Sequence, residues 1–178
     1  MKFNSAESIK ILELALKREN ETGSFYSDCI RKSKSPATAN ILKGLVADEQ
    51  FHADILTKLI AEAKSDGSIE SIGTKATADV KTRLDNAHIN SSMTDKAFSV
   101  ENATAMDMLK KALNIEKESF DLYSKASKDS EESELKAIYS YLAAEENKHY
   151  VTIKNVISYF EHPDEWLYEE ENLIFRRG

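Results

Sequence analysis

Two short runs, Glu49-Gln50-Phe51-His52 and Glu146-Asn147-Lys148-His149, each place a carboxylate and an imidazole three residues apart. On a helix that spacing puts both groups on one face. The face is otherwise apolar, since Ile41, Leu45, Ile55, Leu56 and Leu59 continue the stripe on either side of the first pair. Two further glutamates interrupt apolar stripes elsewhere. Glu19 lies among Leu12, Ala15, Leu16, Gly23, Tyr26 and Ile30, and Glu116 among Leu109, Ala112, Leu113, Phe120 and Tyr123. Four carboxylates gathered in a core cannot stand bare at neutral pH, because each unpaired buried charge is costly and like charges add to the cost. Two divalent cations would balance them, and a mixed oxygen and imidazole donor set suits iron or manganese, with zinc also admitted. The candidate metal ligands are therefore Glu19, Glu49, His52, Glu116, Glu146 and His149. Asp48 and Glu145, one residue before each motif, are placed to receive an imidazole N–H, which would fix the tautomer of a ligand histidine. Tyr26 and Tyr123 lie two turns beyond Glu19 and Glu116, where their hydroxyls can reach a ligand carboxylate.

A lone Glu-x-x-His on a charged helix would carry little weight, but these residues belong to an internal repeat. "ALKRENETGSFYS" (Ala15 to Ser27) overlays "ALNIEKESFDLYS" (Ala112 to Ser124) without a gap, at an offset of 116 − 19 = 97 residues. The same offset overlays "ILKGLVADEQFH" on "IYSYLAAEENKH". One helical hairpin is thus expected twice. Residues equally far from the turn of an antiparallel pair lie at similar heights. The midpoint of Glu19 and Glu49 is Lys34, in "KSKSPAT", and that of Glu116 and Glu146 is Glu131, in "SKDSEES". Glu19 should therefore face Glu49, and Glu116 should face Glu146. Ser35 is the expected cap of the second helix, with Pro36 at its first position, and Ser130 or Asp129 the expected cap of the fourth.

The expected elements are four helices near 5–32, 36–65, 101–128 and 131–160, in an all-α four-helix bundle covering residues 1–160. The crossover at about 66–100 is too long for a tight turn. It suits a bundle whose second and third helices run parallel, so that the chain must travel back along its full height. One short helix is expected in it near 77–87. Residues 161–178 form a short C-terminal tail that breaks at Pro163 and can dock on the bundle through Trp166 and Leu167.

The chain has 178 residues, a size natural for one domain, with only 5 Gly and 2 Pro to interrupt helices. Its net charge of −7 and the absence of a basic face argue against nucleic acid as a partner. The single cysteine, Cys29, excludes an intrachain disulfide and any four-cysteine metal site, and reads as a packed residue. No apolar run is long enough for a signal peptide or a membrane span, so a cytoplasmic protein is expected. Glu21 and Glu118 repeat at the same offset but sit off the stripe, as surface charges. His88, His162 and the acidic "YEEEN" lie outside the constellation.

A glutamate from each of two helices, with Glu-x-x-His from each of the other two, resembles the di-iron and di-manganese carboxylate bundles. By symmetry, Glu49 and Glu146 would bridge the two metals, Glu19 and His52 would complete one, and Glu116 and His149 the other. Over residues 5 to 160 the sequence resembles the ferritin-like superfamily, and within it the rubrerythrins. The likeness rests on "REN…FY" with "DEQFH", "IEKES…LY" with "EENKH", and the tail "HPDEWL". The resemblance implies two non-haem irons per chain that pass two electrons to hydrogen peroxide or oxygen, in an oxidoreductase working as a homodimer. The long crossover would permit helix exchange in such a dimer. Typical rubrerythrins also carry a rubredoxin-like iron domain, for which this chain has no cysteines, so a separate electron donor such as a rubredoxin-like protein is implied. They carry one more glutamate three residues after the third-helix ligand, a position held here by Ser119 and mirrored by Thr22. The alternatives are a ferroxidase or iron-storage protein with the same ligand set, and a non-catalytic, metal-stabilised interaction module.

Overall fold

The computed structural model describes residues 5–33, 36–65 and 103–161. They form four helices: α1 (Ala6–Lys32), α2 (Pro36–Lys64), α3 (Ala103–Asp129) and α4 (Ser133–Glu161). The expected spans agree to within two residues at each end. The expectations for the crossover, its short helix near 77–87, Ser35, His88, His162 and the tail with Trp166 and Leu167 lie outside the described residues.

Local chemistry sets the helix ends. Ser5 has extended backbone angles and its Oγ accepts from the Ser8 amide at 3.1 Å, so it caps α1. The Ser33 amide closes the other end on the carbonyls of Cys29 and Ile30. Pro36 opens α2, where its missing N–H leaves no helical bond unmade. The expected cap of the fourth helix is corrected. Ser130 instead donates from its Oγ to the Ala126 carbonyl and so finishes α3, while the Glu132 carbonyl accepts the Lys136 amide as α4 begins. A serine in this linker can serve either helix, and burial of its hydroxyl against the α3 terminus decides which.

Each helix buries a stripe whose steps alternate three and four. In α1 it runs Leu12, Ala15, Glu19, Thr22, Tyr26, Cys29, and in α3 Leu109, Ala112, Glu116, Ser119, Tyr123, Ala126. In α2 it runs Leu42, Leu45, Glu49, His52, Leu56, Leu59, Ala63, and in α4 Leu135, Tyr139, Leu142, Glu146, His149, Ile153, Val156. This is the seven-residue period of left-handed bundle packing. It also corrects the expected stripes, because Phe120 is 36% exposed and Gly23, Ile30 and Ile41 are only half-buried, while Thr22, Ser119, Cys29 and Leu42 lie inside.

Helix α1 packs on α2 and α3 on α4, and the two hairpins meet along α1 and α3. One apolar cluster joins the start of α1 (Leu12), the end of α2 (Leu59), the end of α3 (Tyr123) and the start of α4 (Leu135). The other joins Tyr26, Leu42, Leu109 and Ile153 from the opposite ends. Hence α2 and α3 run in the same direction, as the long connection between them requires. Burying a large aliphatic side chain stabilises by about 1.5–3 kcal/mol, and both clusters supply several. Among the described residues no helix is long and apolar enough to cross a membrane.

Candidate metal centre

Between the two apolar clusters lies a polar layer. Because consecutive stripe positions carry them, Glu19, Glu49, His52, Glu116, Glu146 and His149 all point inward at one height, and each is at least 96% buried. They divide into two overlapping groups. Glu19, Glu49, His52 and Glu146 present four donor atoms within 4.8 Å of one another, and so do Glu49, Glu116, Glu146 and His149. Glu49 and Glu146 belong to both.

The contacts show where the donors aim. His52 Nδ1 lies 3.2 Å from Glu19 Oε2, 3.2 Å from Glu146 Oε1 and 3.8 Å from Glu49 Oε2. His149 Nδ1 lies 3.2 Å from Glu49 Oε1 and 3.6 Å from Glu116 Oε2. Despite this closeness, Glu49 Oε1, Glu116 Oε2, Glu146 Oε1 and His149 Nδ1 are buried without a hydrogen-bond partner. Buried polar atoms are ordinarily satisfied. Apart from the hydrogen-bonded pair His52 Nδ1 and Glu19 Oε2, donor atoms packed together but left unpaired fit a shared cation, and the oxygen and imidazole set fits a transition-metal ion.

Two hydroxyls brace the layer from the other hairpin. Tyr26 on α1 donates to Glu116 Oε1 on α3, and Tyr123 on α3 donates to Glu19 Oε1 on α1. This crossed pair obeys the 97-residue offset. The tyrosines had been expected to reach a ligand carboxylate; that each takes the partner hairpin's glutamate becomes visible only when α1 and α3 are packed. Asp48 Oδ2 lies 3.5 Å from His149 Nε2, again across the hairpins. Glu145 departs from expectation, because its carboxylate is taken by Lys148, one turn along the same helix, and His52 Nε2 has no hydrogen-bond partner.

The charges are strongly perturbed. Burial pushes Glu19 up to about 7 and Glu146 up to about 8, in both cases against the pull of His52. Burial also pushes Glu49 up, but the combined contacts with His149, His52 and Glu19 outweigh it, leaving that carboxyl below its ordinary value. Burial acts to lower both histidines, yet their carboxylate neighbours win and each ends well above 6.5. Burial and like-charged neighbours thus favour the protonated forms of Glu19 and Glu146, and at both histidines burial is outweighed by carboxylate neighbours that favour theirs.

Residues outside the layer fit their bland readings. Cys29 is packed in an apolar cluster, burial pushing its thiol up to about 11. Glu118 pairs with Arg18 at 3.0 Å and Glu21 with Lys17 at 3.7 Å, all on the surface. Thr22 and Ser119, one turn from Glu19 and Glu116, were missed as members of the inward stripe, although stepping alternately by three and four from Leu12 and Leu109 reaches them. Residues 10–152 match the profile of the protein family described as Rubrerythrin. No individual curated protein and no solved structure matches the chain.

Proposed function

The chain belongs to the rubrerythrin family, and we propose that its buried layer binds two iron ions, making it a di-iron oxidoreductase that reduces hydrogen peroxide with electrons from a separate donor. The observation that carries this reading is the pair of four-donor groups sharing Glu49 and Glu146. Glu49 and Glu146 would be shared by both ions, with Glu19 and His52 holding one and Glu116 and His149 holding the other. Bound ferrous iron would supply Lewis acidity and two electrons for cleavage of the O–O bond. The residues supply the rest. Tyr26 and Tyr123 hold the non-bridging glutamates in place, and the apolar clusters on either side keep bulk water from the carboxylates. Glu19, Glu146, His52 and His149 all have raised proton affinity, so these residues would give up protons in order to ligate a cation. The cysteine count supports the proposed external donor, since one cysteine cannot build a four-cysteine iron site within these 178 residues. A homodimer in the cytoplasm is the proposed working form.

The test is anaerobic ferrous loading of metal-free protein, then rapid mixing with peroxide or, separately, with oxygen. Two irons per chain and a ferric absorption that grows faster with peroxide are expected. Faster growth with oxygen and accumulation of mineral would establish a ferroxidase instead. Binding of one ion or none, or full binding by both Glu49→Ala and Glu146→Ala, would leave the metal-stabilised interaction module as the function.

A further inference from the structure

The 97-residue repeat makes the inner face of the centre nearly symmetric, so a difference between its halves must come from places where the repeat fails. Two such places lie beside the histidines. Asp48 Oδ2 lies 3.5 Å from His149 Nε2, close enough for charge attraction though not aligned as a hydrogen bond. Its repeat equivalent is Glu145, the residue that should serve His52. Lys148 takes that carboxylate instead. The position equivalent to Lys148 in the first hairpin is Phe51, an uncharged residue. The second place is Tyr141, whose ring stands at 90° to the His52 ring with centroids 6.2 Å apart. Its equivalent is Gly44, around which a side chain would meet nothing within 4 Å.

These differences act on one proton. Both imidazoles present Nδ1 to the carboxylates, so a histidine that ligates through Nδ1 must keep its proton on Nε2. At His149 the Asp48 carboxylate, 3.5 Å from Nε2, favours a proton on that nitrogen by charge attraction, and so leaves Nδ1 as the ligating atom. At His52 the same nitrogen, Nε2, is buried with neither a hydrogen-bond partner nor an ion-pair contact to a carboxylate among the described residues, and an unsatisfied buried donor weakens the state that requires it. Resting on the two-metal reading above, we infer that the two positions fill in order: a divalent ion first enters the half built by Glu116 and His149, and a second enters the half built by Glu19 and His52. Lys148 sets that order by withholding Glu145, and is a positioning residue.

The experiment titrates metal-free, full-length protein with Zn2+ by calorimetry while following the imidazole ring nitrogens by NMR, the two histidines being identified with His52→Gln and His149→Gln. Two steps separated about 10–100-fold in affinity are expected, with the His149 signals moving during the first equivalent. Asp48→Asn should weaken the first step about 10–100-fold. Lys148→Met, at a residue whose side chain is 41% exposed, should keep the helical circular dichroism and strengthen the second step about tenfold. Movement of His52 first, of both rings together, or an unchanged gap in Lys148→Met would overturn the ordering. Two ions bound in a single step would do so while leaving the two-metal centre standing, whereas a capacity below two would overturn both.

Discussion

Four glutamates in one buried layer repel each other, and in the metal-free chain protons relieve the repulsion. Glu19 at about 7 and Glu146 at about 8 both lie above their ordinary 4.5, and His52 and His149 lie well above 6.5. A group whose folded value is raised contributes stability that is complete below its unfolded value and is lost as pH rises through the folded one. Two glutamates and two histidines carry this sign, and Glu49 alone carries the opposite one. Metal-free protein should therefore become less stable as pH rises from about 5 to about 8, as read by its melting temperature in the presence of a chelator. A melting temperature that is flat or rising over that range would show that the layer is not protonated as the contacts require. The six-residue buried layer was legible in the sequence because polar residues interrupted apolar stripes at one repeat offset. What the residues do with their second donors was not. Whether Glu145 serves His52 or Lys148 depends on which partner its side chain meets once the helices pack, and it meets Lys148, one turn along the same helix.

At the scale of the helix, the seven-residue stripe explains both what was read correctly and what was not. Four spans and two turns follow from the scarcity of Gly and Pro and from polar breaks at Lys34 and Glu131. The exchange of Gly23 and Phe120 for Thr22 and Ser119 could not be settled from apolarity alone, since the inward positions at that height are polar. Packing direction decided it. Consequences for stability differ by position along the stripe. Leu142 is wholly buried among apolar neighbours, so Leu142→Ala should cost about 2–5 kcal/mol through lost contact and a residual cavity. Gly44 lies in the interior of α2 with open space around it, so Gly44→Ala should add about 0.5–1 kcal/mol by restricting the unfolded chain. Chemical denaturation of both variants measures the contrast. A destabilising Gly44→Ala would mean that this face of α2 is covered in the assembled protein.

Across the whole molecule, the polar layer divides the core into two apolar clusters, so the ions it is proposed to hold would join halves that otherwise meet across mutually repelling groups. The same carboxylates that build the site weaken the empty fold, a conflict expected where a site is arranged for binding and not for stability. Two linked results should follow. A divalent ion at a free concentration of 100 times its dissociation constant stabilises the folded state by about 2.7 kcal/mol, which in a chain of this size corresponds to a rise of about 5–10 °C in melting temperature. Glu146→Gln keeps the shape of a residue shared by both donor groups but removes the charge that burial opposes. It should abolish the metal-induced rise and, at pH 8, melt higher than the metal-free parent chain. Loss of the rise with no gain in the metal-free form would mean that the Glu146 charge is already compensated by His52 at 3.2 Å. Retention of the full rise would remove Glu146 from the site. Scanning calorimetry of the two proteins, with and without Zn2+, separates these outcomes, because the first concerns the empty layer and the second the filled one.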